Sequence, residues 1–319
     1  MSQPPVVTLV IPLFNEEQVL PELFKRLDAL FDGHPAIRWQ ALLVDDGSRD
    51  QTPALVREKA AGDPRFRLLE LTRNFGFQAA IAAGLAHAEG DAVVTMDADL
   101  QDPPELIPNM IAAWRGGAEV VRAVRRTRQE TGLRRLGMDL FHAFFDRISD
   151  FPIEPDSGTF GLLDRAALDA LNRLPERHRF FPGLRAWVGF RTAEVPYDRQ
   201  ERAAGRPQQT LRRLVRYAFD GVFSFSYLPL RLLTYAGLVV GLAGFALGLY
   251  YVVKRLTGLE QAQMGFTTLA ALVLFLGGIQ LIGIGVLGEY LARVYDEAKQ
   301  RPLYLVKKDH RSAGPDARA

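Results

Sequence analysis

The sequence predicts an α/β protein with a mostly parallel sheet covered on both faces, followed by a hairpin of two membrane-spanning helices. Three observations carry this. Apolar, β-branched runs alternate with helix-like segments over residues 1–125. Four of those runs stop at polar or acidic turn residues. Further on, 22 residues (232–253) and then 23 residues (265–287) pass without an Asp, Glu, Lys, Arg or His.

Strands are expected near 6–11, 41–44, 66–71, 92–96 and 119–124, with helices near 16–31, 52–61, 76–88 and 103–115. Val6-Val7-Thr8-Leu9-Val10-Ile11 reads as a buried strand and stops at Pro12-Leu13-Phe14-Asn15-Glu16-Glu17. Ala41-Leu42-Leu43-Val44 stops at Asp45-Asp46-Gly47-Ser48-Arg49-Asp50, a turn and helix-start signal. Phe66-Arg67-Leu68-Leu69-Glu70-Leu71 runs into Thr72-Arg73-Asn74-Phe75-Gly76, and Ala92-Val93-Val94-Thr95-Met96 runs into Asp97-Ala98-Asp99. Ligands of open α/β sheets bind outside the carboxyl ends of the strands, so these four ends should bring polar groups to one rim. Two carboxylates separated by one small residue suit Mg2+ or Mn2+ carrying a nucleotide diphosphate.

Composition bounds the alternatives. A chain of 319 residues, 48% hydrophobic and 24% charged, buries at least one full core and leaves room for a second unit. A net charge of +2 speaks against bulk nucleic-acid binding. Zero cysteines exclude disulfides, thiolate catalysis and Cys-ligated zinc. The first apolar run lacks a basic leader, so no signal peptide is expected. No Gly-x-Gly-x-x-Gly follows the first strand, which argues against a nicotinamide dehydrogenase.

Each charge-free run spans roughly 30 Å as a helix, enough to cross a bilayer. The connection, 254–264, is too short for a domain and makes the pair a hairpin. Arg212, Arg213, Arg216 and Arg231 precede it and Arg293, Lys299, Arg301 and Lys307 follow it, against Lys254 and Arg255 in the loop. The positive-inside bias then puts the N-terminal domain and the tail in the cytoplasm, as parts of an integral protein of the cytoplasmic membrane. Gly237, Gly241, Gly244 and Gly248 recur on one face of the first span, which would allow close helix approach, and a homo-oligomer stays open. Leu133, Leu136, Leu140, Phe141, Phe144, Phe145 and Ile148 form one amphipathic stripe, and Leu211, Leu214, Val215, Ala218, Val222 and Phe225 a second, beside arginines suited to a headgroup layer. Residues after His310 read as a disordered end.

The ordered set Pro12-Leu13-Phe14-Asn15-Glu16, Asp45-Asp46-Gly47-Ser48, Arg73-Asn74-Phe75-Gly76, Asp97 through Glu105 and Phe223-Ser224-Phe225-Ser226 resembles the polyprenyl-phosphate glycosyltransferases. These are relatives of dolichol-phosphate mannose synthase among the inverting family-two enzymes. The resemblance covers residues 6–306. It implies a GT-A nucleotide-diphospho-sugar transferase fold with a C-terminal two-helix transmembrane hairpin: a catalytic domain over 1–205, a juxtamembrane amphipathic segment over 206–231, two transmembrane helices over 232–288 and a cytoplasmic tail over 289–319.

It also implies an activity: transfer of a sugar from a UDP- or GDP-linked donor to a membrane polyprenyl phosphate, with inversion. Asp97, Asp99 and Gln101 would hold Mg2+ or Mn2+. Pro12, Phe14, Asn15, Glu16, Asp45, Asp46, Asp97 and Ala98 would line the nucleotide. Arg125, Arg134, Arg199 and Arg202 are the candidates for gripping the acceptor phosphate, because a guanidinium binds phosphate oxygens in pairs. Arg125 and Arg202 lead that set, and Asp156 is the candidate base or acceptor of a sugar hydroxyl.

The chain departs from the family pattern twice. Relatives usually read Asp-x-Gly-Asp-Phe-Arg where this one has Asp156-Ser157-Gly158-Thr159-Phe160-Gly161, and Arg206-Pro207-Gln208-Gln209 stands where a Ser-Lys pair usually follows. Two rival readings stand beside this one: a non-catalytic membrane scaffold of the same fold, which would explain Thr159 and Gly161, and a processive polysaccharide synthase, which shares the nucleotide half. The second should carry Gln-x-x-Arg-Trp and more spans, and the sequence has neither.

Overall fold

The computed structural model describes residues 4–125, 157–177, 179, 181–198, 228–257 and 265–310. They divide into two units, one holding the residues up to 198 together with 301–310, the other holding 228–257 and 265–300. The two expected amphipathic stripes lie outside the described residues, as do Asp156, Arg134, Arg199, Arg202, Phe223-Ser224-Phe225-Ser226 and the residues after His310.

The first unit is an α/β layer structure. Strands β1 (Val6–Leu13), β2 (Arg38–Asp45), β3 (Phe66–Leu71) and β4 (Ala92–Thr95) alternate with helices α1 (Leu20–Gly33), α2 (Thr52–Gly62) and α3 (Phe77–His87). Then come α4 (Ile107–Arg115), β5 (Val120–Arg125), β6 (Ser157–Asp164), α5 (Arg165–Asn172), α6 (Phe181–Trp187) and β7 (Thr192–Tyr197). A last strand, β8 (Val306–His310), follows the apolar helices in the chain. The described strands form one sheet in the order β7-β5-β6-β4-β1-β2-β3-β8.

β4, β1, β2 and β3 pair in parallel, as expected. The sheet as a whole is mixed, because β6 runs antiparallel between β4 and β5, and β8 runs antiparallel along β3. β1 is buried from Val7 to Leu13, which explains its unbroken apolar sequence: helices cover it on both faces. α1 lays Leu20, Leu23, Leu27, Leu30 and Phe31 into the core. There Phe31 stacks on Trp39 with centroids 5.3 Å apart and Phe24 meets Phe66 edge-on at 5.7 Å. Phe66 is fully buried, and a side chain of that size contributes about 2–3 kcal/mol of transfer free energy.

α1 starts at Leu20 instead of near residue 16. The intervening residues are committed elsewhere: Asn15 takes the left-handed conformation (φ 56°), and the Glu16 amide donates to Thr52 Oγ1 at 2.8 Å.

β8 shows how the tail joins the sheet. Arg67 Nε donates to Asp309 Oδ1 at 2.8 Å, and the buried Glu70 carboxylate takes Lys307 Nζ at 3.3 Å and lies 2.6 Å from His310 Nε2. The segment expected as a tail over 289–319 therefore supplies an edge strand to the first unit.

In the second unit, α7 (Leu228–Leu256) and α8 (Phe266–Ala298) contain windows, Leu230–Leu247 and Phe275–Ala298, long and apolar enough to cross a membrane. Neither window is buried within the protein. A Cβ placed on Gly237, Gly241 or Gly244 would meet nothing within 4 Å among the described residues. The expected close helix approach through that face is not made by α8.

Candidate active site

The site forms where β4, β1, β2 and β3 end side by side. Register places Leu13 beside Asp45 and Asp45 beside Glu70. Past β1, Phe14 is exposed, and the Asn15 amide donates to Ser48 Oγ at 2.9 Å while its Oδ1 accepts from the Arg49 amide at 2.9 Å. The β1 and β2 loops are thus tied to each other through backbone amides and short polar side chains, as turn chemistry favours.

Asp45 and Asp46 are both buried. Asp45 Oδ1 accepts from the Ser48 amide at 3.2 Å, while Asp46 accepts from the amides of Phe75 at 2.7 Å and Gly76 at 2.9 Å. Gly47 between them and the third loop has φ +71°, and a Cβ there would lie 2.5 Å from the Arg73 carbonyl carbon, so a side chain is excluded. Burial raises the pKa of Asp45 in spite of its Ser48 bonds, with the charges of Glu70 and Asp50 adding to the rise. Burial likewise raises that of Asp46 against the pull of the Phe75 and Gly76 amides, and Asp45 adds to it.

The acidic turn follows β4 directly. Ala98 and Leu100 are buried beneath it, Leu100 in the left-handed conformation at φ 61°, a strain of about 1 kcal/mol for a non-glycine residue. Asp99 Oδ1 accepts from the Gln101 amide at 3.1 Å, which brings Asp97, Asp99 and Gln101 onto one turn. Two neighbours hold that turn. Thr159 of β6 donates its hydroxyl to Asp97 Oδ1 at 3.3 Å, and Tyr197 of β7 donates to the buried Asp102 Oδ1 at 2.8 Å.

The structure therefore gathers Asn15, Glu16, Asp45 and Asp46 through linked loops, and Asp97, Ala98, Asp99 and Gln101 on one turn. Pro12 closes β1 one residue before Leu13. Arg125 closes β5 in register with Tyr197. Sequence reasoning missed Tyr197 and Arg185 as site-supporting residues. Tyr197 stands two residues before the candidate Arg199, and the one signal for Arg185 is that it is the lone charge in Phe-Pro-Gly-Leu-Arg-Ala-Trp.

A parallel β1–β4 core, antiparallel β6 and an acidic turn at the β4 end have a counterpart among known families. Residues 8–171 match the model described as "Glycosyl transferase family 2", and residues 228–294 match "GtrB C-terminal hairpin". The chain belongs to glycosyl transferase family 2.

It is 42% identical over 301 residues to an uncharacterized glycosyltransferase of Synechocystis sp., covering 94% of each chain. It is 41% identical over 306 residues to the SfII prophage-derived bactoprenol glucosyl transferase of Shigella flexneri, covering 96% of this chain and 98% of that one. Among solved structures, a mannosyltransferase from Pyrobaculum calidifontis in complex with GDP-Man and Mn2+ superposes with a TM-score of 0.50 at 20% identity, over 94% of this chain and 87% of that one, which is a likeness of fold. The family-2 chain is thus a glycosyltransferase of GT-A-like fold carrying a C-terminal hairpin of apolar helices associated with a membrane.

Proposed function

We propose that this glycosyltransferase moves a sugar from a UDP- or GDP-linked donor to the phosphate of a membrane polyprenol, at the cytoplasmic face and with inversion. The carrying observation is the Asp97-Ala98-Asp99 turn, set at the carboxyl end of β4 beside the cross-tied β1 and β2 loops, in a chain that also bears the apolar hairpin. Relatives named for glucosyl transfer to bactoprenol support the acceptor class. The excess of Arg and Lys flanking the hairpin over its loop supports the orientation.

Asp97, Asp99 and Gln101 offer hard oxygen donors and fit Mg2+ or Mn2+. Among the described residues no group of three or more His, Cys, Asp or Glu gathers into an all-protein cage. Asp97, Asp99 and Gln101 would hold such an ion at their turn through oxygen ligands. Bound there, such an ion offsets the charge that builds on the leaving diphosphate.

The residues of the chain do the rest by positioning. Phe14, Asn15, Glu16 and Asp45 line the nucleoside, the acids accepting from base or ribose, while Asp46 organises the loop around it. Arg125, Arg134, Arg199 and Arg202 hold the acceptor phosphate, and Asp156 accepts from a sugar hydroxyl. A phosphate monoester with a second pKa of about 6 is already mostly dianionic at neutral pH, so its oxygen attacks the anomeric carbon without a strong base. The new C–O bond forms as the bond to the diphosphate breaks, and the nucleoside diphosphate leaves.

Two measurements test this reading. Full-length protein in detergent should melt at higher temperature with one class of nucleotide sugar plus Mn2+, by about 2.7 kcal/mol of added stability at a hundredfold excess over Kd. Anomeric analysis of the lipid product should show inversion. Retained configuration, or label entering a growing polysaccharide in place of a lipid monosaccharide, would overturn it.

A further inference from the structure

Arg185 is the one basic side chain among the described residues that is almost wholly buried in the catalytic unit, at 3% exposure. It comes from the short α6, whose sequence is otherwise apolar, and its guanidinium lies 5.5 Å from the Phe181 ring centroid. Nη2 donates to the Gly158 carbonyl at 3.1 Å. A Cβ built on Gly161 would come within 2.9 Å of Nη1 and 2.6 Å of the Val121 carbonyl oxygen. The bare backbone of Gly161 is therefore what admits the guanidinium between α6 and β6. Taking a cation out of water costs free energy, which its partners in the protein must offset.

The neighbouring bonds indicate the job. Gly158 is joined to Thr159, whose hydroxyl reaches Asp97 Oδ1 at 3.3 Å and whose carbonyl accepts from the Thr95 hydroxyl at the end of β4. We propose that Arg185 is a positioning residue for the Asp97 carboxylate, fixing the Gly158–Thr159 peptide and, through the Thr159 hydroxyl, aiming the acidic turn. Gly161 and Arg185 then work as a pair: the missing side chain on β6 makes room for the cation supplied from α6. Outer groups that orient a ligand of this kind are worth about ten- to a hundredfold in affinity or activity. The inference rests on the proposed role of Asp97 in donor binding.

The test is a double-mutant cycle on the full-length protein, reading half-saturation by Mn2+ and KM for the nucleotide sugar separately from kcat, with Asp97→Ala as reference. Arg185→Met and Thr159→Val should each weaken donor and Mn2+ half-saturation about tenfold, and the double variant should also lose about tenfold, well short of the ~100-fold of independent effects. Should Arg185→Met fail to fold, Arg185→Lys takes its place, with a loss of about threefold that is again non-additive with Thr159→Val. Additive losses, or a lowered melting temperature with unchanged Mn2+ half-saturation, would overturn the assignment and leave Arg185 as packing alone. If Asp97→Ala itself leaves donor and Mn2+ half-saturation unchanged, the proposed function of the turn is what fails.

Discussion

Tyr197 Oη donates to the buried Asp102 Oδ1 at 2.8 Å and ties the last residue of the edge strand β7 to the loop that carries the acidic turn. The bond joins residues 95 positions apart, and the Tyr197 ring packs edge-on against Phe160 at 5.8 Å. Tyr197→Phe keeps that packing and removes this hydrogen bond to Asp102. A buried hydrogen bond to a charged group contributes about 1.5–3 kcal/mol, so the variant should melt earlier and bind the donor less tightly. Unchanged melting in detergent would show that the bond carries no such energy.

Burial raises the pKa of both Asp45 and Asp46, which sets a trade between stability and binding. Their folded-state pKa values are raised above the ordinary 3.8, so the native state binds protons more strongly than the unfolded chain. Stability contributed by the protonated forms is present at low pH and is lost as pH rises from about 4 through the raised values. Asp45→Asn, which keeps an acceptor for the Ser48 amide, should therefore melt higher than the parent at pH 7 and bind nucleotide sugar less well. A lower melting point at pH 7 would contradict the sign.

Glu70 behaves in the opposite sense. Burial opposes its charge, but hydrogen bonds from His310 and Lys307 and the nearby charges of His310 and Arg57 outweigh that and lower its pKa below the usual 4.5. The stability it lends to the β3–β8 seam is complete above pH 4.5 and is lost as pH falls through the lowered value. Glu70→Gln should abolish that acid-side loss, read as the pH dependence of amide exchange along β8. Removing residues 301–319 should expose the β3 edge and promote self-association, seen as a larger species on size exclusion. Monomeric, fully stable protein would show that β8 is dispensable.

The parallel half of the fold was legible because β1 to β4 are buried on both faces and read as apolar runs ended by turn chemistry. β5 was legible too, as the strand expected near 119–124, whereas β6, β7 and β8 escaped for physical reasons. β6 opens with Ser157, Gly158 and Thr159 and sets Gly161 between its buried Phe160 and Leu162, so no unbroken apolar run marks it in the sequence. β7 carries Pro196, and β8 reads Val-Lys-Lys-Asp-His; proline and charge are what edge strands tolerate, and they hide a strand from an apolar pattern. At the site, the carboxylates Asp45, Asp46, Asp97 and Asp99 stood out by position. What holds them, Thr159 on Asp97 and the Phe75 and Gly76 amides on Asp46, depends on pairings between distant segments, as does the Tyr197 bond to Asp102. Asp46 shows this well: its Oδ1 and Oδ2 accept from the Phe75 and Gly76 amides, a bracing role that its place after β2 does not announce.

Asp99→Ala tests the central claim most directly. With purified full-length protein in vesicles containing polyprenyl phosphate, Mn2+ and a labelled nucleotide sugar, the parent should move label into the solvent-extractable lipid. Losing a carboxylate that offsets diphosphate charge should lower that rate by about 100-fold or more, with folding and membrane insertion intact. Lipid labelling at the parent's rate by the folded variant would contradict the account.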